Sequence, residues 1–267
     1  MSDMTDHPVD VLGAPRFVVK TAESKADLQA AQRLRYLVFV QELGGDGPLV
    51  DHENMLECDE FDAYATHLIL HDMTRPAADN VIGVYRLLTS EAAQQAGQFY
   101  CETEFDLGLL RSSGLKLLEL GRSCLHPDYR GGMAMMHLWQ ALAVYVQDHG
   151  IELLFGVASF HGTDLAHLSG PLGLLFHRHL APPELRVHAI GQGARAIAPV
   201  AEDQIDRVAA LRDTPALIKA YLRLGGVVGE GIYVDTAFNT TDVCLILPLS
   251  DVSLSQRQLY TRARRDV

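Results

Sequence analysis

Residues 115–139 run from an apolar stretch, Leu115 to Leu125, through Gly131-Gly132 into a segment with Leu138, Leu142 and Val146 at four-residue spacing. The first part reads as a strand and the last as a helix starting near Met133. A strand that passes through a basic, glycine-containing loop into a helix leaves the first N–H groups of that helix unpaired. Together with the helix dipole they form a site for an anion. Two charged residues, Glu119 and Arg122, interrupt the apolar strand, and charge persists in such a setting where it is paired or used. The strand is therefore the expected seat of the chemistry, and the Arg130-Gly131-Gly132 loop the expected holder of a ligand's phosphate.

What flanks this unit must fit a chain of 267 residues with 22 Lys+Arg against 34 Asp+Glu, a formal net charge of −12. That balance argues against nucleic acid and against broad adsorption to anionic lipid. It suits a small cationic substrate, and suits an acidic protein partner only where basic residues cluster. Cys58, Cys101, Cys124 and Cys244 are scattered with no C-x-x-C pair, so neither a metal site nor a disulfide framework is expected. Met1 to Pro15 is polar and acidic with no leader pattern, and charges, Gly or Pro interrupt every apolar run before membrane-spanning length. The expectation is a cytoplasmic protein with reduced thiols. One domain over 15–250 is expected, preceded by a loose tail, 1–14, and followed by a basic tail, 251–267, that carries Arg257, Arg262, Arg264 and Arg265.

Around the central unit, Phe17 to Thr21 reads as a strand and Ser24 as the cap of a helix running to about Gln41, which places Arg35 and Phe39 on one face. An acidic run follows, including Glu57, Asp59 and Asp62: a solvated loop or a wall that receives a cation. His67 to His71 and Val81 to Leu88 read as strands, with Arg86 set among Val84, Tyr85, Leu87 and Leu88. Glu91 to Gly97 reads as a short helix, Phe99 to Phe105 as a strand or extended piece, and Leu107 to Arg111 as a helical turn. Gly150 ends the helix from Met133, and Ile151 to Ala158 is a continuous apolar strand. A helix is expected over Asp164 to His179, then, in the weakly patterned stretch 184–213, one extended segment and a connecting loop near Arg186 to Val200. Thr214 with Pro215 marks a further helix start, and two strands close the chain, Gly231 to Asp235 and Val243 to Leu247.

This order of elements resembles the acyl-CoA N-acyltransferase (GNAT) fold, an α/β (α+β) architecture with a mixed central sheet flanked by helices. In that family the fourth and fifth strands splay apart around the donor's pantetheine arm. Asp128-Tyr129-Arg130-Gly131-Gly132 resembles the family's pyrophosphate loop, and Tyr221-Leu222-Arg223-Leu224-Gly225 its Tyr-x-x-Leu-Gly helix end. Met133 stands where the usual loop has another glycine, a departure that favours a carrier-protein donor over free coenzyme A. Arg35-x-x-x-Phe39, Asp59 and Asp62, Arg86, and Glu119-x-x-Arg122 follow the spacing of acyl-homoserine-lactone synthases. Residues 118–124, 154–160 and 238–243 are similar to the L-ornithine N-alpha-acyltransferase family, and that resemblance covers roughly residues 16–250.

The resemblance implies transfer of a 3-hydroxyacyl group from the 4'-phosphopantetheine thioester of acyl carrier protein to the alpha-amine of L-ornithine, giving lyso-ornithine lipid. No permanent cofactor and no metal are implied. Glu119 is the implied base, or else a structural ion-pair partner of Arg122 or Arg86; alternatively the charged set orders the acidic loop, with Arg35, Arg86 and Arg122 facing Asp59 and Asp62. A backbone N–H near Cys124 or Leu125 would meet the oxyanion, and Tyr221 would protonate the leaving thiolate, or serve as an interior tyrosine. Arg130, Gly131 and Gly132 would hold the phosphate. Arg35, Phe39, Asp59, Asp62, Arg86, Asn239, Thr240 and Asp242 are the implied acceptor-binding set, although 239–241 also read as a hairpin turn. Other readings are an acyl-homoserine-lactone synthase, another amino-acid N-acyltransferase, and a noncatalytic carrier-protein or lipid-binding module. The basic tail is a further expected point of contact, with membrane or carrier protein.

Overall fold

A computed structural model describes residues 15–197 and 200–252. Most of the expected tails, with the four tail arginines, lie outside the described residues. The chain runs β1 (Phe17–Thr21), α1 (Lys25–Arg35), β2 (Thr66–Asp72), β3 (Val81–Thr89), α2 (Ser90–Ala96), β4 (Phe105–Asp106), α3 (Gly108–Ser112), β5 (Leu117–Leu125) and α4 (Ala134–His149). It continues β6 (Leu153–His161), α5 (Ser169–His179), β7 (His188–Ala189), β8 (Ala194–Arg195), α6 (Arg207–Asp213), α7 (Ala216–Arg223), β9 (Val227–Val228), β10 (Ile232–Asp235) and β11 (Thr240–Pro248).

The main sheet has the order β1-β2-β3-β5-β6-β11-β10-β8, with β9 on β11 and the two-residue strands β4 and β7 paired apart. Alternation along β2 shows how it is covered. Leu68 and Leu70 pack into the core shared with Leu138 and Leu142 of α4. Ile69, between them, packs with Ala31 and Leu34 of α1. Strand periodicity thus buries both faces, one under each helix.

The pairing of β5 with β6 positions the site. It is parallel and covers three residues, Leu117 to Glu119 against Leu153 to Phe155. Beyond that point β6 stays paired with β11 over its whole length while β5 follows β3. The two strands fork, as expected of the fourth and fifth long strands. A Cβ added at Gly156 would lie 2.1 Å from the Leu120 carbonyl oxygen, so the branch point requires glycine.

Local signals account for most boundaries. The Ser24 hydroxyl accepts the Asp27 N–H at 3.1 Å while the Asp27 carboxylate accepts the Ser24 N–H at 3.2 Å, a capping box that starts α1. The expected single helix to Gln41 instead widens into a π-helix over Tyr36–Glu42. The expected extended piece at 99–105 is a 3₁₀ turn, Tyr100–Thr103, before the short β4. Thr214 does not cap the following helix. Its hydroxyl donates to the Ala210 carbonyl at 2.8 Å and closes α6, and Pro215 is the residue that precedes α7. Helix α6 falls where the sequence carries no clear pattern, because Val208 and Leu211 are 78 % and 54 % exposed and mask its apolar face.

Candidate active site

The fork between β5 and β6 encloses a cavity of about 270 Å³. One wall is β6 with its partner β11, where Ser159 faces Asp242, Gly156 faces Leu245 and Leu154 faces Leu247. From Ser159 to Leu154 is five residues, about 16 Å of strand. Over that length the wall changes from acidic to apolar. The opposite wall is Leu120 to Ser123 of β5, with Phe39, Tyr85, Tyr100, Tyr221 and Phe238 also lining the space. Phe39 comes from the π-helical turn, which re-aims it relative to a regular helix.

On β5 the register with β3 slips between Val84 and Arg86, and Arg122 adopts φ +50°. This bulge places a non-glycine residue in the left-handed region at a cost of about 1–2 kcal/mol. It also brings Arg122 and Ser123 to the cavity, where the Ser123 hydroxyl is buried without a hydrogen-bond partner among the described residues. Cys124 and Leu125, expected to meet the oxyanion, do not line the cavity. Cys124 packs under α1 with Leu34 and Val38, and burial pushes its thiol up to about 12, which disfavours a nucleophilic thiolate. Leu125 belongs to the core beneath α4.

Behind Arg122 lies a buried network of three arginines and three carboxylates. Arg35, fully buried, donates from Nε to Glu57 and from Nη1 to Asp62 at 2.7 Å. Arg86 Nη1 donates to both Asp59 oxygens at 2.5 Å and to Asp62 at 3.0 Å. Arg122 donates from Nε to Glu57 at 3.1 Å and from Nη2 to Asp59 at 2.9 Å. Burial works against ionisation of Asp59 and Asp62, but the arginines outweigh it and hold both carboxyls below the usual range. Arg35, Asp59, Asp62 and Arg86, expected on the acceptor, are therefore committed to one another behind the cavity. Of that expected set Phe39, Thr240 and Asp242 line it. Asn239 sits in the hairpin turn at φ +52°, accepting the Gly162 N–H through its carbonyl at 2.7 Å. Glu57 is the member that the sequence reading left out of the site. It lay within the acidic run, with no spacing to set it apart.

Glu119 also sits off the cavity lining. It is 3 % exposed and accepts the N–H groups of Tyr100 and Cys101 at 2.9 and 2.6 Å. Burial is the largest influence on its carboxyl and pushes it up to about 7, against the opposing pull of Arg86 and those two N–H groups. Its visible work is to hold the 3₁₀ turn that presents Tyr100, over whose ring the Arg122 guanidinium lies 4.6 Å from the centroid. Tyr221 does face the cavity, and its hydroxyl is 2.7 Å from that of Tyr85. Burial pushes Tyr85 up to about 12, so it retains its proton at neutral pH. Tyr85 was missed; its signal was a second polar group beside Arg86 in an apolar strand.

The loop before α4 keeps the expected form. A 3₁₀ turn, Pro127–Tyr129, leads through Gly131 at φ +75° into the helix at Ala134. Arg130 grips Glu42 with two bonds of 2.6 Å. Met133 is 62 % exposed, so its side chain stands out from the loop and does not crowd it.

A mixed sheet forked at a cavity, with a glycine loop opening the next helix, is the arrangement expected of a GNAT-like acyltransferase fold. The acetyltransferase (GNAT) domain model matches residues 34–140. The L-ornithine N(alpha)-acyltransferase of Rhodobacter capsulatus is 56 % identical over 248 residues, covering 92 % of this chain and 95 % of that protein. The protein of the same name from Brucella abortus is 39 % identical over 88 % of this chain and 85 % of its own length. This chain belongs to the L-ornithine N(alpha)-acyltransferase family. Among solved structures, the acyl-homoserine-lactone synthase LasI matches 94 % of this chain and 96 % of its own, with TM-score 0.50 and 15 % identity. The coenzyme-A-dependent acyl-homoserine lactone synthase BjaI matches with TM-score 0.52 and 13 % identity, over 94 % of this chain and 92 % of that one. At such identity these two speak for the fold.

Proposed function

We propose that this chain transfers a 3-hydroxyacyl group from the phosphopantetheine thioester of acyl carrier protein to the alpha-amine of L-ornithine. The observation that carries the reading is the cavity at the fork, acidic at the Asp242 end and apolar at the Leu154 end, in a chain whose relatives bear that enzyme's name. Arg130, Gly131, Gly132 and the start of α4 hold the phosphate. The acyl tail runs past Tyr221 into a second, apolar cavity of about 510 Å³, which shares Leu154, Tyr221 and Leu247 with the first and is otherwise walled by residues such as Trp139, Leu142 and Val146.

The ammonium first loses a proton to water in the cavity, since Glu119 is not placed to take it directly. The free amine attacks the thioester carbonyl, and backbone N–H groups at the Arg122–Ser123 bulge meet the oxyanion. The C–S bond then breaks, the Tyr221–Tyr85 pair passes a proton to the thiolate, and the second proton from the nitrogen returns to the pair, leaving amide, thiol and two neutral tyrosines. Arg122, already lying against the cavity, takes the acceptor's carboxylate. The enzyme works from the cytoplasm, touching membrane through its product or its basic tail; no helix among the described residues is long and apolar enough to cross one.

The test supplies purified enzyme with L-ornithine and either 3-hydroxyacyl carrier protein or the matching coenzyme A thioester, and weighs the product by mass spectrometry. Acyl-ornithine formed with higher kcat/KM from the carrier protein is expected. Equal or better use of the coenzyme A thioester overturns the donor, and absence of acyl-ornithine from either overturns the acceptor.

A further inference from the structure

At the acidic end of the cavity three carboxylates converge. Glu104, Asp235 and Asp242 each offer one oxygen, and these oxygens lie within 4.8 Å of one another. They come from different elements: the turn before β4, the end of β10, and β11. Glu104 and Asp242 are 3 % and 2 % exposed, and Glu104 Oε2 and Asp242 Oδ1 have no hydrogen-bond partner among the described residues. The other oxygen of Asp242 accepts from the Thr240 hydroxyl at 3.0 Å. One oxygen of Asp235 accepts the Ala237 and Phe238 N–H groups at 2.8 and 3.1 Å.

Orphaned carboxylate oxygens packed together repel one another unless protons or a cation join them. The groups that face them are Tyr100, Tyr233, Arg122 and Ser159, which stands opposite Asp242 on β6. Arg122 already donates from Nε to Glu57 and from Nη2 to Asp59. Burial, followed by Asp242 and Asp235, pushes Glu104 well above the carboxylate range, and burial foremost pushes Asp242 up to about 7. Without a ligand, burial thus favours the protonated forms of Glu104 and Asp242. This contrasts with Asp59 and Asp62, which three arginines already neutralise.

We propose that Glu104, Asp235 and Asp242 together receive the side-chain ammonium of the acceptor and so select a diamino acid over neutral amino acids. The inference rests on ornithine being the acceptor. Three oxygens match the three N–H donors of an alkylammonium. At the outer limit of 4.8 Å the centre of such a triangle lies about 2.8 Å from each corner, an N–H···O length. A divalent ion would need the oxygens drawn in to about 2.0–2.6 Å. Asp242 and Asp235 line the same cavity as Arg122 and Tyr221, so a molecule anchored there by its ammonium keeps its alpha-amine in the reaction space.

The test compares kcat/KM for L-ornithine with that for L-norleucine, which carries a methyl group in place of the ammonium, in the wild type and in Glu104→Gln, Asp235→Asn and Asp242→Asn. In each variant the ornithine-to-norleucine ratio should fall about tenfold or more, the scale of a hydrogen bond to a charged group. Asp235→Asn retains the oxygen that caps the hairpin turn, so it supplies a folded variant should Glu104→Gln fail to fold. An unchanged ratio in folded variants overturns the cation site while leaving ornithine acylation standing. A second measurement follows the melting temperature of the wild type and of Asp235→Asn with n-butylammonium chloride, against sodium chloride at equal ionic strength. Stabilisation that the variant loses supports the site even where ornithine is not acylated, which would sink the acceptor reading alone. Stoichiometric metal in the purified wild type, with a chelator abolishing ornithine turnover, would identify a metal centre and overturn the proposal.

Discussion

Arg35→Met tests the claim that the six-membered charge network is structural support for the cavity wall. Arg35 is fully buried and joins Glu57 to Asp62. Methionine matches its stem but removes the charge, leaving Glu57 with Arg122 at 3.1 Å and Asp62 with Arg86 at 3.0 Å and the Gln32 amide at 2.9 Å. Removing one partner of a buried ion pair costs about 3–5 kcal/mol. Because both acids keep another partner, the lower end, about 3 kcal/mol, is expected. For a chain of this size that is a fall in melting temperature of about 6–12 °C. Thermal melts at pH 7 would read it directly. A double-mutant cycle with Glu57→Gln isolates the pair: the second substitution should be milder in the Arg35→Met background than in the wild type, by about 1–3 kcal/mol. A variant that melts within about 2 °C of the wild type, or strict additivity in the cycle, would refute the view that these charges depend on one another.

Tyr85→Phe and Tyr221→Phe should each lower kcat by about 100-fold, and the double variant should be little worse than the poorer single one, as for groups acting as a unit; multiplied effects in steady-state assays would count against a shared proton path. Gly156→Ala places a methyl group against the Leu120 carbonyl, which neither strand can yield without breaking its other pairing. It should cost about 3 kcal/mol or more, and a urea midpoint equal to that of the wild type would contradict the fork geometry. Stability should be dome-shaped in pH. Asp59 and Asp62, held low by the arginines despite burial, contribute stability that is fully present above the ordinary aspartate value of about 3.9 and lost as pH falls through their folded values. Glu119 and Asp242, pushed up to about 7 chiefly by burial, act with the opposite sign, so stability is lost as pH rises through 7. Urea midpoints that climb steadily from pH 6 to pH 9 would overturn this assignment.

Where periodicity and capping act locally, the sequence was readable: the Ser24 box, the apolar strand at 117–125, and the glycine loop that opens α4 all stand where their residues put them. Reading failed where a residue serves something distant. Thr214 has the chemistry of a helix cap, but its hydroxyl answers the preceding helix. Val208 and Leu211 face outward and hide α6. Glu119 and Arg122 announced themselves as charges in an apolar strand, yet the bulge alone sends Arg122 to the cavity and leaves Glu119 behind it, holding a turn. Glu104 and Asp235 gave no local sign, since β4, β10 and β11 bring them to Asp242 only once the sheet is assembled.

The charge network also has an order of assembly during synthesis. As the chain leaves the ribosome, Glu57, Asp59 and Asp62 emerge between Arg35 and Arg86, so for a time three acids have two guanidinium partners. Arg122 follows 65 positions after Glu57. Until it docks, the acidic segment retains an excess negative charge and stays hydrated, and a nascent chain arrested before that point cannot bury it. The last partner to arrive is also the one that touches the reaction space, so the wall of the cavity closes only when the strand beside it has been made.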